Sequence, residues 1–479
     1  GTPAFDRAGL SRYRRVEEAP VYAKIFLALA PLLWYMSVAS AGIIQEGPLT
    51  KADYWVKQNP DGEQVLLDAA GIQAYNEKVL QSDQKLLVVD LAAFPQLLDG
   101  KAVRKTLTNY AYLRGTLYAG GKLFTAAERE RLQALTDPGT VPPVVVTRYG
   151  VAVQHSSLRN LPREEGLYEE ADDHYYDVLQ DTVVEPGDPV AILHASKDQQ
   201  YFYVQMYNVR GWLLQKDVAL TTRDHWLRYV QPPKFVQVVD KEYQVPGPAG
   251  KVFYLMGGKL LLQQEGPKNY TVLLPYRDQW GRLWEKTVQL PKTAALHVGY
   301  LPYTSNNVVR QAFKFYGNPY GWGGSFRSVD CSSLVDSIYK TMGLILPRNS
   351  DQLRRCPLGG RRDLTGASHE QRQLVYRELR PGATIHMPGH VMVYLGQADN
   401  KPYVIHAASS YYEAGAATGQ GSHRLQAGGR PWYKVYVRKV LVSDLELHGR
   451  DGRMFADRAT SVRDYDLQDF TPAAGAAAK

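Results

Sequence analysis

The sequence predicts an α+β protein made of several units in line, and three observations carry that reading. Hydrophobic periodicity is helical at the start, turns to alternating strands after Pro142-Pro143, and is mixed again from about Gly299. The length of 479 residues exceeds what one core fills, so three or four units of ~100 to 150 residues are expected. At 44% hydrophobic and 22% charged, with 41 Gly, 28 Pro and no heptad or triplet repeat, the chain is not collagen, coiled coil or disordered.

Charge and cysteine usage narrow the function classes. Lys+Arg number 56 against 48 Asp+Glu, a surplus of +8 spread thinly, with no basic block, zinc-finger spacing or Arg-rich stripe. Nucleic acid is therefore not an expected partner. Two cysteines, Cys331 and Cys356, make neither a disulfide scaffold nor a tetrathiolate zinc site. Thiol chemistry remains open to one of them.

Ile25 to Ile44 is twenty residues without a charge, preceded by Arg12, Arg14, Arg15 and Lys24 and carrying Ala39-Ser40-Ala41. Positive flank, apolar stretch and small-x-small site read as an export signal, so residues 1–41 are expected to be removed. A retained membrane anchor is the second reading and a buried helix the third. Loss of 1–41 would lower the charge to about +6.

Residues 42–140 read as short amphipathic helices, with Ile72, Tyr75, Val79 and Leu80 after Asp68, and Val103, Leu107 and Tyr110 further on. Nothing there suggests catalysis. Residues 141–222 hold strands at Val190 to His194, Tyr201 to Tyr207 and Gly211 to Leu214, spaced as in a small barrel. Residues 223–298 repeat the pattern at Lys251 to Met256, Lys259 to Gln264, Tyr270 to Tyr276 and Arg282 to Leu290. Gly257-Gly258 there is read as a hairpin turn, and the two sets as copies of one barrel. Their tyrosines are assigned mainly to packing.

Residues 299–442 carry the chemistry. A helical stripe of Val308, Val309, Ala312, Phe313 and Tyr316 precedes the turn NPYGWGG and then DCSSLVDSIYKTMGL, whose Leu334, Val335, Ile338 and Met342 share a helix face. Cys331 thus opens a helix, where unpaired N–H groups and the dipole favour thiolate and offer an oxyanion site. Gly317, Gly321, Gly323 and Gly324 would admit substrate close to the backbone. HVMVYLG and YVIHAA read as a hairpin turning at QADNKP. Pairing Leu395 with Tyr403 sets His406 opposite Met392 and diagonal to His390, and the Cys331 helix is expected to pack across that shared face. The set Cys331, His390 and His406 fits nucleophilic catalysis with an oriented base. Core packing is the plain alternative for Cys331, disfavoured by its polar neighbours Asp330 and Ser332. His386 and His390 have a zinc-like spacing, but Pro388 and Gly389 break the helix it needs. Cys356 receives no role. Residues 443–479 are charged and end in AAGAAAK, and are expected to form a loose polar tail.

PYGWGG, DCSSLV, LPRNS, GHVMVYLG and VIHA, in that order, resemble the NlpC-type, papain-like cysteine peptidases of bacterial cell walls. YWVKQNP and LLDAAGIQAYN are similar to the helical N-terminal region of a subgroup with two bacterial SH3-like barrels. The resemblance implies a papain-like catalytic domain, helices on an antiparallel sheet, with Cys331 as nucleophile, His390 as base and His406 orienting it. It further implies Tyr320 at the oxyanion, Asp330 and Ser332 lining the substrate site, and Asn349 where relatives place an aspartate that holds the substrate amine. Amine recognition would then fall to Asp330 or to the first barrel, through Glu169 to Asp173 or Tyr207.

The resemblance thus leads to the expectation of an exported, monomeric peptidase of the periplasm or cell envelope. It would hydrolyse the bond between γ-D-glutamate and a diamino acid in peptidoglycan stem peptides or muropeptides with free N-terminal L-Ala. No cofactor or metal is expected, and membrane contact would come only through the first segment. The alternatives are an amidase or acyltransferase of the same fold, and a non-catalytic wall-binding protein. The basic insertion from Gly359 to Arg377 is read as a lid or a partner surface.

Overall fold

The computed structural model describes residues 42–82, 88–248, 250–415, 424–427 and 430–467. The expected export signal, residues 1–41, lies outside the described residues. Just after it Ile43–Ile44 forms a short strand, β1.

Four helices begin the chain: α1 (Ala52–Gln58), α2 (Ala69–Leu80), α3 (Gly100–Leu107) and α4 (Ala126–Leu135). Side-chain caps fix where three of them start, Asp68 for α2, Asp99 for α3 and Thr125 for α4, the last in a reciprocal capping box with Glu128. Trp55, Tyr75 and Val79 bury their side chains in the core of the final domain, so this region braces it.

Between Arg148 and Thr221 runs a seven-stranded antiparallel sheet closed over Val190, Ile192, Val204, Leu213 and Val218. Its strand β2 (Gln180–Val184) meets the final domain through the Gln180 side chain. After α5 (Arg223–Val230) comes a five-stranded antiparallel sheet from Phe235 to Val298 over its own core of Val236, Val238, Leu260, Val272 and Leu274. The Gly257-Gly258 hairpin is not formed. Gly250–Leu255 pairs with Glu242–Gly247, whereas Lys259–Glu265 pairs with Phe235–Val238 and Asn269–Arg277. The glycines turn a corner against the final domain: Gly257 has φ +90, and a Cβ there would lie 2.9 Å from Lys340 Cδ.

The final domain has α6 (Ser305–Phe313), α7 (Cys331–Lys340), α8 (Ser350–Arg355), β3 (Arg361–Asp363), α9 (His369–Glu378), β4 (Thr384–Met387), β5 (His390–Ala398), β6 (Lys401–Ala414), β7 (Arg430–Asp444), α10 (Phe455–Arg458) and β8 (Ser461–Arg463). Its sheet runs β1-β7-β6-β5-β4-β8-β3, with Arg424–Ala427 pairing alongside β7. Alternation gives it two apolar faces. Val391, Val393, Leu395 and Ile405 meet α6 and α7, while Met392, Tyr394, Val404 and Leu441 meet α9 and α10.

Two expectations fail here. Residues 443–467 are no tail: Leu445, Leu447, Phe455 and Val462 are buried, and β8 lies inside the sheet between β4 and β3. Charged residues between those apolar anchors made the segment look unstructured. The Gly359–Arg377 insertion is not a lid either. It supplies β3 to the sheet edge, and Arg372 and Tyr376 of α9 are buried.

Candidate functional site

Asp330 caps α7 by accepting from Ser333 N at 2.7 Å, with Ser333 Oγ bonding back to Asp330 N, so the helix starts at Cys331. The backbone N–H groups of Val391, the residue after His390, and of Ser332 favour the thiolate form of Cys331. Tyr320 is buried beside it, and burial first, then the neighbouring thiol, pushes its hydroxyl well above the ordinary range. It therefore stays a hydrogen-bond donor.

The hairpin of β5 and β6 turns at Asp399 and Asn400, whose φ of 48 and 60 make a two-residue turn of the hairpin-favoured hand. Tyr403 pairs with Gly396 instead of Leu395, because a bulge falls between Tyr394 and Gly396. Beyond the bulge Val393 pairs with Ile405, the register expected near the histidines. His390 Nε2 lies 2.7 Å from His406 Nδ1, and His406 Nε2 lies 3.0 Å from Ser443 Oγ on β7. His406 and Ser443 are fully buried, and Phe455 packs 6.0 Å from the His390 ring.

The expectation that α7 packs across the histidine face is wrong. His390 and His406 share the Met392 side of the sheet, and α7 covers the Val391 side. The apolar stripe of α7 needs Val391, Val393 and Leu395, which alternation places opposite the histidines. His390 is the first residue of β5, and Val391, the second, lies in the core shared with Cys331.

The thiol is also not the expected thiolate. Cys331 is 7% exposed, and burial, reinforced by the Asp330 charge, pushes it up to about 12. Burial and the charge of Arg458 hold His390 down at about 4, and burial with the His390 charge keeps His406 well below its usual range. The dipole of one helix turn is too weak to offset this desolvation. At neutral pH the site holds a neutral thiol and neutral imidazoles.

Asp330 and Ser332 face Arg348. The Asp330 carboxylate accepts from Gly323 N at 3.1 Å, Ser332 Oγ at 3.1 Å, Ser333 N at 2.7 Å, and Arg348 Nη1 and Nη2 at 3.3 and 2.8 Å. Burial alone would raise its carboxyl, but Arg348 holds it below the ordinary value. Its acceptor sites are filled, which leaves it no room for a substrate amine. Ser332 Oγ accepts from Arg348 Nη1 at 3.0 Å, so it belongs to the same network. Asn349 is exposed and spends its side-chain oxygen capping α8.

The seven-stranded sheet seats directly on this network. Arg348 Nε donates to Thr182 Oγ1 at 2.7 Å, and Gln180 Nε2 donates to Gly323 O at 2.9 Å. Gly323 and Gly324, at φ +56 and +82, approach β2 so closely that a Cβ would stand 2.7 Å from Gln180 Cγ and from Val183 Cγ2. These two glycines admit that sheet, not the substrate. Tyr207 is likewise spent on contact, donating to Asp336 of α7 at 3.1 Å. Asp173 Oδ1 accepts from Tyr175 N at 2.7 Å, and the turn it shapes brings Tyr176 within 6.2 Å of the Tyr320 ring. Arg348, Ser443 and Tyr176 escaped the sequence reading. Arg348 alone left a trace, standing inside the LPRNS motif.

A thiol at a helix start against an antiparallel sheet, with a half-buried histidine bonded to a buried one on the neighbouring strand, defines the papain-like cysteine peptidase class. Residues 317–423 match the NlpC/P60 family model, and residues 167–214 match that of the SH3 domain of SH3b1 type. The chain therefore carries an NlpC/P60 domain behind an SH3 domain. An NlpC/P60 endopeptidase from Photobacterium damselae subsp. piscicida superposes with a TM-score of 0.70 at 16% identity, over 89% of this chain and 99% of that one, and is alike in fold. Dipeptidyl-peptidase 6 of Lysinibacillus sphaericus is 24% identical over 218 residues, 44% of this chain and 75% of the relative.

Proposed function

We propose that this protein is an exported cell-wall peptidase that hydrolyses the γ-D-glutamyl–diamino acid bond of stem peptides bearing a free N-terminal L-Ala. The observation that carries the proposal is the hydrogen-bonded line His390–His406–Ser443 on the sheet against which the helix opening at Cys331 packs. The SH3 domain packed against the site and a relative named as a dipeptidyl-peptidase support a short, wall-derived substrate.

Cys331 Sγ adds to the γ-carbonyl as its proton passes to Nδ1 of His390, so the attack is general-base catalysed from a neutral pair. Tyr320 and the first N–H groups of α7 receive the oxyanion. Collapse expels the amine, which takes the proton from His390 and leaves a thioester. Water, deprotonated by the same imidazole, releases the acid and restores the thiol. His406 and Ser443 fix the ring's orientation and tautomer.

Mass spectrometry of L-Ala-γ-D-Glu-diamino acid peptides tests this. Cys331→Ala should abolish cleavage with the fold intact, and full activity in that variant would defeat the assignment. The buried, protonated thiol favours one second reading, a wall-binding protein without catalysis. Such a protein would still sediment with sacculi after alkylation and would never release peptide.

A further inference from the structure

We infer that Arg438 is the receptor for a substrate carboxylate, in a subsite built jointly by the SH3 domain and the catalytic sheet. The inference rests on the peptidase reading and names what the cleft recognises. Arg438 lies in β7 where the ladder shifts: Lys439 pairs with Ala408 and Tyr436 with Ser410, so Val437 and Arg438 face Ser409 together. Its φ is 45, a left-handed conformation that a residue bearing a Cβ adopts at a cost of ~1 kcal/mol or more. Such bulges re-aim side chains. Here the guanidinium is turned between Tyr175 and Tyr436, its Cζ 3.8 and 4.3 Å from their ring centres and 5.8 Å from that of Tyr176.

Among the described residues no carboxylate pairs with this cation. Its Nε is buried without a hydrogen-bond partner, and so is the hydroxyl of Tyr176. Two orphaned donors in one aromatic cluster are costly, and a side-chain shift that opens them to an incoming acceptor would relieve that cost. The cluster adjoins the reacting centre: Arg438 O accepts from Tyr320 N at 2.7 Å, and Tyr320 lies in the field of Cys331. An anion with two acceptor oxygens matches a guanidinium beside a hydroxyl. A γ-linked glutamyl residue carries such a group, its free α-carboxylate, a few bonds from the scissile carbonyl. The substrate class is thus a γ-glutamyl peptide with that carboxylate unamidated.

The experiment compares L-Ala-γ-D-Glu-diamino acid with the same peptide bearing an α-carboxamide. Wild type should prefer the acid by about 10- to 100-fold in kcat/KM, the range of a charge-assisted hydrogen bond. R438M and R438Q should bring the two rates within about threefold, chiefly by loss on the acid, and R438K should fall between. A ratio unchanged in folded R438M, whatever its melting temperature, overturns the inference. Calorimetry of both peptides with C331A and C331A/R438M separates the two readings. If wild type cleaves neither peptide, the peptidase reading fails, yet an acid preference in C331A that vanishes in the double variant still supports the subsite. Equal affinities overturn it.

Discussion

Arg348 joins two domains through one side chain: its Nε bonds Thr182 of the SH3 domain while its Nη2 pairs with Asp330, the cap of the helix that opens at Cys331. The SH3 domain thereby becomes part of the support of the nucleophile.

Arg348→Met leaves the buried Asp330 carboxylate unpaired, which costs ~3 to 5 kcal/mol. A fall of about 10 °C or more in melting temperature, together with loss of peptide hydrolysis, is the expected outcome. A stable, active variant would show that the pair is dispensable.

Neutral thiol and neutral His390 set the pH dependence. An acid limb in kcat/KM is expected near 4, where His390 takes a proton, and no alkaline limb from the thiol is expected below about 12. Iodoacetamide should modify Cys331 slowly at neutral pH, the rate rising about tenfold per pH unit. A thiolate plateau already reached at weakly acidic pH would contradict this.

Stability should follow the same histidines. Their pKa values are lowered in the fold, so the unfolded chain binds protons first as pH drops. Their contribution is complete above about 6.5 and declines as pH falls towards 4. Thermal melts from neutral pH down to that value check the sign.

Ser443→Ala removes the partner of His406 Nε2 and should lower kcat about three- to tenfold with KM little changed, the size of one hydrogen bond. Ser443→Thr, which keeps the hydroxyl, should recover part of it.

Gly324→Ala places a Cβ at φ +82 and 2.7 Å from Val183. A loss of ~1 to 3 kcal/mol and faster proteolysis between the SH3 and catalytic domains are expected. Unchanged stability would mean that β2 moves aside freely.

Much of this architecture was legible. The change of period marked the successive units, and the apolar stripe from Leu334 to Met342 with Asp330 ahead of it located α7 and its first residue. The near-histidine register of β5 and β6 came from alternation alone. Which sheet face α7 would choose did not, because local pattern shows that Val391 and His390 point apart and is silent on what covers each. The ionisation of Cys331 depends on burial contributed by distant segments. Ser443 and Arg348 act through partners far from them in sequence, and Gly257-Gly258 was misread because a corner and a hairpin ask the same of a glycine.

Ile43 pairs with Ser443, and Arg463 pairs with Thr384 within the same sheet, so the catalytic layer is stitched from opposite ends of the described chain, with both smaller sheets threaded between. A fragment beginning at residue 299 would lack an edge strand. During synthesis each smaller sheet has its own core and can collapse on its own, whereas the histidine relay gains its serine only once residue 443 has been made, after both of those sheets.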